Sequence, residues 1–179
     1  CSKTKLFQDE TGLIIELPAE KKGQAAKKIQ LRVLSPEIIK VAVSENDSAL
    51  SSPSLVAKET IGGPVPFSVV NQRGKLELST DSLLVSVELP SGKISFHDRK
   101  NQLLLSATGS EIVPFEDETV GKQNHLVQHF NWQPEEALFG LGQHRHGQLN
   151  LRGLKIELVQ ENIEVAVPFL LSTNGYGLL

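Results

Sequence analysis

Residues 28–44, KIQLRVLSPEIIKVAVS, alternate apolar side chains with polar or small ones on both sides of Pro36. A period of two places successive side chains on opposite faces of a β-strand, so the stretch predicts strands over 28–35 and 38–44. The turn Ser35-Pro36-Glu37 is short enough to make these strands antiparallel neighbours. The stretch therefore predicts a β-hairpin.

The same alternation recurs along most of the chain, with Gly, Pro, Asn or Asp near most of the breaks. Further segments of this kind are KLELST (75–80), LLVSVELP (83–90), KISFHD (93–98), NQLLLSA (101–107), HLVQHFNW (125–132), ALFGLG (137–142), GLKIELVQ (153–160) and VAVPFLLS (165–172). By contrast, residues 18–29 contain helix formers but no apolar stripe. About eleven or twelve short strands at this spacing predict an all-β fold, an antiparallel β-sandwich.

Composition narrows the possible classes of protein. The chain has 179 residues, of which 39% are hydrophobic and 22% charged, and this size predicts a single core. A net charge of -3 gives no basic stripe for nucleic acid. No apolar run approaches the roughly 20 residues of a transmembrane helix. Residues 45–66, rich in Ser, Pro and Gly, read as a surface loop.

The first residue suggests a lipid anchor. The sequence has no Met, and its only cysteine is Cys1. Bacterial lipoproteins are cleaved immediately before a cysteine that then carries the lipid, although a lone cysteine is also consistent with a chance residue. We expect residues 1–12 to form a polar tether and Cys1 to be lipidated, which would place the protein in the bacterial cell envelope, periplasmic or in the outer membrane.

The last residues predict a hairpin. PFLLSTNGYGLL (168–179) reads as a strand over 168–172, a turn over Asn174 and Gly175, and a second strand that stops at Leu179. Because the chain ends as this return strand begins, we expect it to be a fragment.

Motifs for catalysis are weak. The dense acidic cluster Glu116-Asp117-Glu118 reads as a solvated turn, because adjacent side chains of a strand or loop point apart. Gly140, Gly142 and Gly147 do not have the spacing of a dinucleotide-binding loop. We expect no catalytic residue and no cofactor in this chain.

Four histidines, at positions 125, 129, 144 and 146, fall within 22 residues. His144 and His146 would share one face of a strand, as zinc ligands often do, and His125 or His129 would have to supply a third ligand. The alternative is that these histidines are hydrogen-bonding residues of a polar loop. We expect no metal site.

The C-terminal motifs resemble a known family. EALFGLGQHRHGQLNLRG (136–153), ELVQEN (157–162) and VPFLLSTNGYGLL (167–179) resemble the end of the N-terminal β-sandwich domain of glycoside hydrolase family 31, the α-glucosidase and α-xylosidase family. The likeness covers most of the chain, and the specific motifs lie in its last forty or so residues. The matching residues are Phe139-Gly140-Leu141-Gly142 and, further on, Pro168, Phe169, Gly175, Tyr176 and Gly177.

This resemblance implies a galactose mutarotase-like supersandwich over residues 13–179, followed by a (β/α)8 barrel that carries both catalytic aspartates. Many members have an acid where this chain has Gln143, and GLGQ, LNLRG and QEN together look more like the bacterial α-xylosidase-like branch. The resemblance implies that the domain packs on its own barrel and lends a loop to the entrance for an α-linked oligosaccharide.

Polar residues of that loop are the candidates for a substrate rim, because sugar hydroxyls call for mixed uncharged donors and acceptors. The candidates are Gln143, His144, His146, Asn150, Arg152, Gln160 and Asn162. Asn150 and Arg152 are equally consistent with ordinary turn residues before Gly153. Gly140 and Gly142 are expected to let two backbones approach closely at a bend.

Two other classes of function stay open. The chain could be a free-standing carbohydrate-binding module, for which Trp132 is the only obvious stacking residue. It could also be an interaction protein of the bacterial envelope, as Cys1 and the plain β composition suggest.

Overall fold

The computed structural model describes residues 4–18, 27–45, 50–51, 54, 63–89, 91–145 and 147–179. These residues contain thirteen strands and fall into two compact units, residues 1–130 (the first unit) and 131–179 (the second unit). Length had predicted one core, whereas contacts within the chain group it into two units. No helix among the described residues is long and apolar enough to cross a membrane.

The first unit begins with a four-stranded antiparallel sheet in the order β1-β2-β3-β4. Its strands are β1 (Lys5–Gln8), β2 (Gly12–Glu16), β3 (Lys28–Ser35) and β4 (Ile38–Ser44). The bounds of β3 and β4 are those predicted from the alternating pattern. β1 and β2 were not predicted, and β1 lies within the segment 1–12 that was expected to be a tether. The division into 1–12 and 13–179 stays a prediction.

A six-stranded sheet follows, in the order β10-β9-β8-β7-β6-β5. Its strands are β5 (Ser68–Gln72), β6 (Lys75–Ser79), β7 (Leu83–Glu88), β8 (Ile94–Asp98), β9 (Leu103–Asp117) and β10 (Gly121–Asn131). Of the acidic cluster, Glu116 and Asp117 are the last residues of β9 and Glu118 begins the turn, in which Asp117 Oδ1 accepts hydrogen bonds from the N–H groups of Thr119 (2.8 Å) and Val120 (3.0 Å). The run predicted to be a turn is therefore the end of a strand followed by a turn.

The core of the first unit lies between these two sheets. One half comes from the four-stranded sheet and the residue after β2, and the other half from the six-stranded sheet. The cluster consists of Leu13, Ile15, Leu17, Ile29, Leu31, Val33, Leu76, Leu78, Val85, Val87, Ile94 and Ala107. Each fully buried aliphatic side chain contributes about 1.5–3 kcal/mol to folding. The predicted all-β fold, an antiparallel β-sandwich, is confirmed.

The second unit is a three-stranded sheet in the order β11-β12-β13, formed by β11 (Leu138–Gln143), β12 (Val165–Ser172) and β13 (Gly177–Leu178). Residues 144–164 connect β11 to β12. The strand predicted over 153–160 is wrong, because these residues form no ladder in the structure. Their backbone instead makes local turns, with Leu154 N–H donating to the carbonyl of Leu151 (3.0 Å) and Val159 N–H to that of Glu157 (3.2 Å).

The predicted C-terminal hairpin is present, but its turn is wider than expected. Residues 173–175 form a three-residue loop, closed by a 2.9 Å hydrogen bond from Ser172 N–H to the carbonyl of Tyr176. Of the two residues predicted to have a positive φ, only Gly175 does, at 83°. A single left-handed glycine at the end of a three-residue loop is the usual alternative to a two-residue primed turn.

Candidate functional site

The long loop of the second unit starts and ends at the same point of a hairpin. β11 and β12 pair antiparallel from Leu138 opposite Ser172 to Gln143 opposite Val165. Residues 144–164 therefore leave the sheet beside Gln143 and return to it beside Val165. Six of the seven rim candidates have positions within this loop, and Gln143 lies directly before it. His146 lies outside the described residues.

A glycine-rich bulge precedes the loop. Gly140, Leu141 and Gly142 all have a positive φ, at 107°, 59° and 99°, and the register with β12 shifts between the two glycines. A Cβ atom on Gly142 would lie 1.8 Å from the carbonyl oxygen of Val165, and one on Gly140 would lie 2.4 Å from that of Phe169. Only glycine fits such an approach, which is the role that the sequence predicts for both glycines.

The remaining motif residues complete this hairpin. Pro168 lies opposite the bulge, between Ala166 and Leu170, which both have partners in β11. Because proline has no N–H to donate, it is tolerated where a ladder is interrupted. A Cβ atom on Gly177 would lie 2.9 Å from the ring of Phe169, so the small residue leaves room for the aromatic side chain.

Four of the rim candidates lie in the two chain segments that meet at the bulge end of the hairpin: Gln143, His144, Gln160 and Asn162. Gln143 and Asn162 are exposed. The ring of His144 turns back, with Nε2 2.9 Å from the carbonyl oxygen of Leu141. The Gln160 amide is used within the loop, since Nε2 donates to the carbonyl of Glu164 (3.1 Å) and Oε1 accepts from Ala166 N–H (3.2 Å).

Arg145 holds the two sides of the loop next to each other. Its guanidinium lies 3.8 Å from the carboxylate of Glu161 and 3.7 Å from that of Glu164. The backbone N–H of Arg145 also donates to Glu164 Oε1, at 3.4 Å. Such partly exposed ion pairs contribute only about 0–1 kcal/mol each. Their importance is geometric, because they keep residues 143–145 beside residues 160–164.

Asn150 and Arg152 lie at the opposite end of β11. Asn150 Oδ1 accepts hydrogen bonds from the N–H groups of Leu138 and Arg152, both at 3.1 Å. Arg152 Nη1 donates to the backbone carbonyls of Gln133, Pro134 and Glu136 at 2.5–2.8 Å. Both side chains therefore hydrogen-bond to the backbone of the second unit, and whether they also contact a substrate stays a prediction.

The predicted rim is thus divided into two groups. Leu138 and Gln143 are the ends of β11, and five residue spacings of about 3.3 Å separate the groups by roughly 16 Å along the strand. Gln143, His144, Gln160 and Asn162 lie at the bulge end, which we call the loop cluster. Whether this cluster contacts a substrate stays a prediction.

The structure also reveals a buried carboxylate that the sequence analysis missed. Glu136 is only 3% exposed, and its Oε1 accepts hydrogen bonds from the hydroxyl groups of Ser172 and Tyr176. Its Oε2 accepts the N–H of Gln133 at 2.7 Å. Glu136 thereby ties the start of β11 to both sides of the C-terminal turn, 36 and 40 residues further along the chain.

The surroundings of Glu136 favour its ionised form. Burial acts to raise its pKa, but the hydrogen bonds from Ser172, Tyr176 and Gln133 N–H, together with the charge of Arg152, lower the pKa below the ordinary value of 4.5. Burial and the hydrogen bond to Glu136 raise the pKa of Tyr176. Glu136 is therefore a carboxylate, and Tyr176 a hydroxyl donor, at neutral pH.

The two candidate histidines of the first unit, His125 and His129, make an aromatic and a polar contact there. His125 stacks on Phe115 with the ring centroids 4.0 Å apart, and His129 Nε2 lies 3.7 Å from Glu111 Oε1. Among the described residues, no group of three His, Cys, Asp or Glu side chains is arranged to hold a metal ion.

Comparison with known proteins gives the family. Residues 28–179 match the model of the glycosyl hydrolase 31 N-terminal galactose mutarotase-like domain. The chain is 27% identical over 113 residues to an α-xylosidase of Saccharolobus solfataricus, which covers 58% of this chain and 15% of that protein. It is 29% identical over 152 residues to an uncharacterized family 31 glucosidase of Pseudescherichia vulneris, covering 82% of this chain and 27% of that protein.

Solved structures agree. The crystal structure of the family 31 α-xylosidase Xac1773 from Xanthomonas citri superposes with a TM-score of 0.82 and 30% identity, over 95% of this chain and 18% of that chain. The chain thus spans between about a seventh and a quarter of the length of the relatives that it matches. The likeness runs through both units, because the matched range includes β3 to β13. The chain belongs to the glycosyl hydrolase 31 N-terminal galactose mutarotase-like domain family.

Proposed function

We propose that this chain is the N-terminal region of a longer α-glycosidase of xylosidase or glucosidase type. In this proposal, the chain packs on the catalytic barrel of the same polypeptide and lends the loop cluster to the substrate entrance. In this proposal the catalytic carboxylates lie on that barrel, and residues 1–179 help to position the substrate without supplying a catalytic group. The single observation that carries the proposal is the family match over residues 28–179.

The substrate class follows from the named relatives. Two of the proteins that the chain resembles are α-xylosidases, and a third is a family 31 glucosidase. An α-linked oligosaccharide with a terminal xylosyl or glucosyl unit is therefore the proposed substrate. The Gln143 position and the LNLRG and QEN segments favour the xylosidase side of this choice.

Packing on a larger partner is supported by the exposed surface of β12. Val165, Val167, Phe169 and Leu171 alternate along the strand, so they share one face, and their exposed fractions lie between 38% and 47%. Four large apolar side chains on one face of a strand are typical of a surface that another protein surface covers. In the proposal, that surface belongs to the barrel.

The loop cluster has suitable chemistry for sugar hydroxyls. Gln143 and Asn162 are exposed amides, each with a donor and an acceptor group, and neither is used in a hydrogen bond that holds the described part of the loop. His144 and Gln160 instead support the loop backbone. Contact with substrate therefore falls chiefly to Gln143 and Asn162.

The test compares two substrates in the full-length natural polypeptide. Gln143→Ala and Asn162→Ala should each lower kcat/KM for an α-linked oligosaccharide by about two- to tenfold, since one hydrogen bond to a neutral hydroxyl is worth about 0.5–1.5 kcal/mol. Hydrolysis of a small aryl α-glycoside, which lacks the distal sugars, should change less. Gln102→Ala, an exposed amide of the first unit, is the matched control and should leave both substrates unchanged.

Equal effects on both substrates, or none on either, would contradict the role of the loop cluster while leaving the family assignment intact. If the full-length polypeptide hydrolysed no α-glycoside at all, the activity itself would be wrong. A carbohydrate-binding module or an envelope interaction protein would then be the better explanation.

We further propose that the protein is anchored in the bacterial cell envelope through a lipid on Cys1. The support is the Cys1-Ser2 pair followed by polar residues, and Cys1 lies outside the described residues. Growth with a labelled fatty acid should transfer label to the mature protein, and Cys1→Ser should abolish it. An unmodified mature N-terminus at another residue would contradict the anchor.

A further inference from the structure

Asn162, a member of the loop cluster, lies at the tip of a tight turn. Glu161 and Glu164 are the first and last residues of this turn, and Glu161 N–H donates to the carbonyl of Glu164 at 3.2 Å. Asn162 and Ile163, which lie between them, are exposed. The position of the Asn162 amide therefore depends on the contacts that hold the two glutamates.

Gln160 attaches this turn to the sheet. Its Nε2 donates to the carbonyl of Glu164 at 3.1 Å, and its Oε1 accepts the N–H of Ala166 at 3.2 Å. Ala166 is a residue of β12 and lies opposite Gly142 in β11. These contacts connect the turn to β12, whereas Gln143 lies at the end of β11.

Arg145 connects the same turn to the segment that carries Gln143. It lies two residues after Gln143, and its guanidinium contacts the carboxylates of Glu161 and Glu164 at 3.8 and 3.7 Å. Its backbone N–H donates to Glu164 Oε1 at 3.4 Å. One side chain thus contacts both ends of the turn, while the backbone of the same residue attaches its own segment to Glu164.

The charges at the base of the turn make this cation important for its shape. Without Arg145, Glu161 and Glu164 would be two like charges at the ends of one four-residue turn, and such charges repel each other. The Glu164 side chain is 25% exposed and that of Glu161 is 57% exposed, so salt screens the pair with Glu164 less. Removing Arg145 should therefore detach the turn and also open it.

We propose that Arg145 is a positioning residue of the loop cluster: it holds Asn162 at a fixed distance from Gln143, so that both amides bind hydroxyl groups of the same α-linked oligosaccharide. This inference rests on the proposed function. Arg145 acts through the two glutamates and does not itself have to contact the sugar. Two amides that are already held in place lose less conformational freedom on binding, which is how positioning increases affinity.

Kinetics of the full-length natural polypeptide test the positioning role. Arg145→Ala should lower kcat/KM for an α-linked oligosaccharide by about two- to tenfold, as much as Asn162→Ala does, and should leave a small aryl α-glycoside nearly unchanged. Because Asn162 depends on Arg145, the double variant should lose no more than the single variants do, and additive losses would overturn the inference. Arg99→Ala removes an exposed arginine 3.8 Å from Asp81 in the first unit, and as the matched control it should change neither substrate.

Charge substitutions distinguish positioning from a simple loss of packing. Arg145→Lys keeps the positive charge and should retain most of the activity on the oligosaccharide. Arg145→Glu should be worse than Arg145→Ala, because three carboxylates then lie close together. Adding Glu161→Arg to Arg145→Glu places one cation beside two carboxylates again and should recover most of the loss.

Hydrogen exchange measures the attachment of the turn without substrate. Arg145→Ala should accelerate exchange at residues 160–166 by about fivefold or more, while β3 stays unchanged. Arg99→Ala should not alter exchange at residues 160–166.

Three results would overturn the inference. If Asn162→Ala lowered kcat/KM for the oligosaccharide and Arg145→Ala did not, Arg145 would have no positioning role, and the proposed function would stand. If Arg145→Ala lowered kcat/KM equally for both substrates, its role would be a general structural one. If neither substitution affected the oligosaccharide, the contact of the loop cluster with substrate would itself be wrong, and the positioning role with it.

Discussion

The first unit packs twelve hydrophobic side chains between two sheets, whereas the second unit is organised around one buried carboxylate. In the first unit, burial of apolar surface is the main source of stability, and polar side chains lie mostly outside the core. In the second unit, Glu136 accepts three hydrogen bonds, and Arg152 and Asn150 bind the backbone that surrounds it. Its sheet meanwhile leaves the apolar face of β12 exposed.

This difference predicts how each unit responds to substitutions and to acid. An apolar core is cooperative and tolerant of pH, since no charged group has to be kept in one protonation state. The stability of a hydrogen-bond network around a carboxylate depends on the geometry of each hydrogen bond, on the presence of every partner and on the pH. Substitutions and acid should therefore separate the two units experimentally.

The largest effect is expected from Leu31→Ala in β3. Leu31 is fully buried between the sheets, and removing its side chain leaves a cavity that costs about 3–4 kcal/mol of unfolding free energy. Denaturant unfolding of the full-length polypeptide measures the loss. Ile38→Ala, at a β4 residue that is 48% exposed, is the control and should cost under about 1 kcal/mol. Equal losses for both would contradict the apolar sandwich as the source of stability.

Glu136→Gln should have the next largest effect, and it should be confined to the second unit. The amide cannot accept from all three donors at once, and hydrogen bonds to a charged group are worth about 1.5–3 kcal/mol, so we expect a local loss of about 2 kcal/mol. Amide hydrogen exchange should speed up at residues 136–138, 150–152 and 172–176 while β3 stays protected. Glu135→Gln, at the exposed neighbouring carboxylate, is the matched control. Faster exchange throughout both units would show that they are not separable.

Lowering the pH is a second way to distinguish the two units. The folded-state pKa of Glu136 is lowered, so its contribution to stability is complete above the unfolded value near 4.5 and is lost as the pH falls through the folded value. Hydrogen exchange in the second unit should accelerate below about pH 4.5 in the natural sequence. With Glu136→Gln in place, that acceleration should be much smaller.

The smallest effect is expected from an exception inside the first unit. Ser86 is 1% exposed, and its hydroxyl has no hydrogen-bond partner among the described residues. Because an unpaired buried polar group is destabilising, Ser86→Ala should raise the unfolding free energy by about 0.5–1 kcal/mol. Ser95→Ala, at the half-buried residue opposite Ser86 in β8, should stay within about 0.5 kcal/mol. A loss on replacing Ser86 would mean that its hydroxyl is paired.

The sequence predicted the first unit better than the second, and the reason is local. β3 and β4 alternate over most of their length and end at Ser35 and Ser44, so their bounds could be read from the sequence. β2 was missed because its consecutive apolar residues Leu13, Ile14 and Ile15 show no period. Such a run does not distinguish a doubly covered strand from other buried segments.

In the second unit, the decisive contacts join residues far apart in the chain. Glu135 and Glu136 are identical in chemistry and adjacent in sequence, and only the fold makes one exposed and the other buried against Ser172 and Tyr176. Residues 153–160 alternate as a strand would, yet alternation defines a face and does not supply a neighbouring strand. The glycines of the bulge were predictable, because a close backbone approach restricts the residue type itself.

The anchoring of the 144–164 loop has a consequence for how such a domain can diversify. The loop is fixed at both ends, where Arg145 pairs with Glu161 and Glu164 and Gln160 binds the backbone of Ala166, and in its middle, where Leu151 N–H donates to the carbonyl of Leu138 at 2.8 Å. Residues 153–159 consequently begin and end at points that their own sequence does not determine. Because the entropic cost of a loop grows only slowly with its length, this segment is open to insertion, deletion or grafting while the sheet and the Glu136 network keep their geometry.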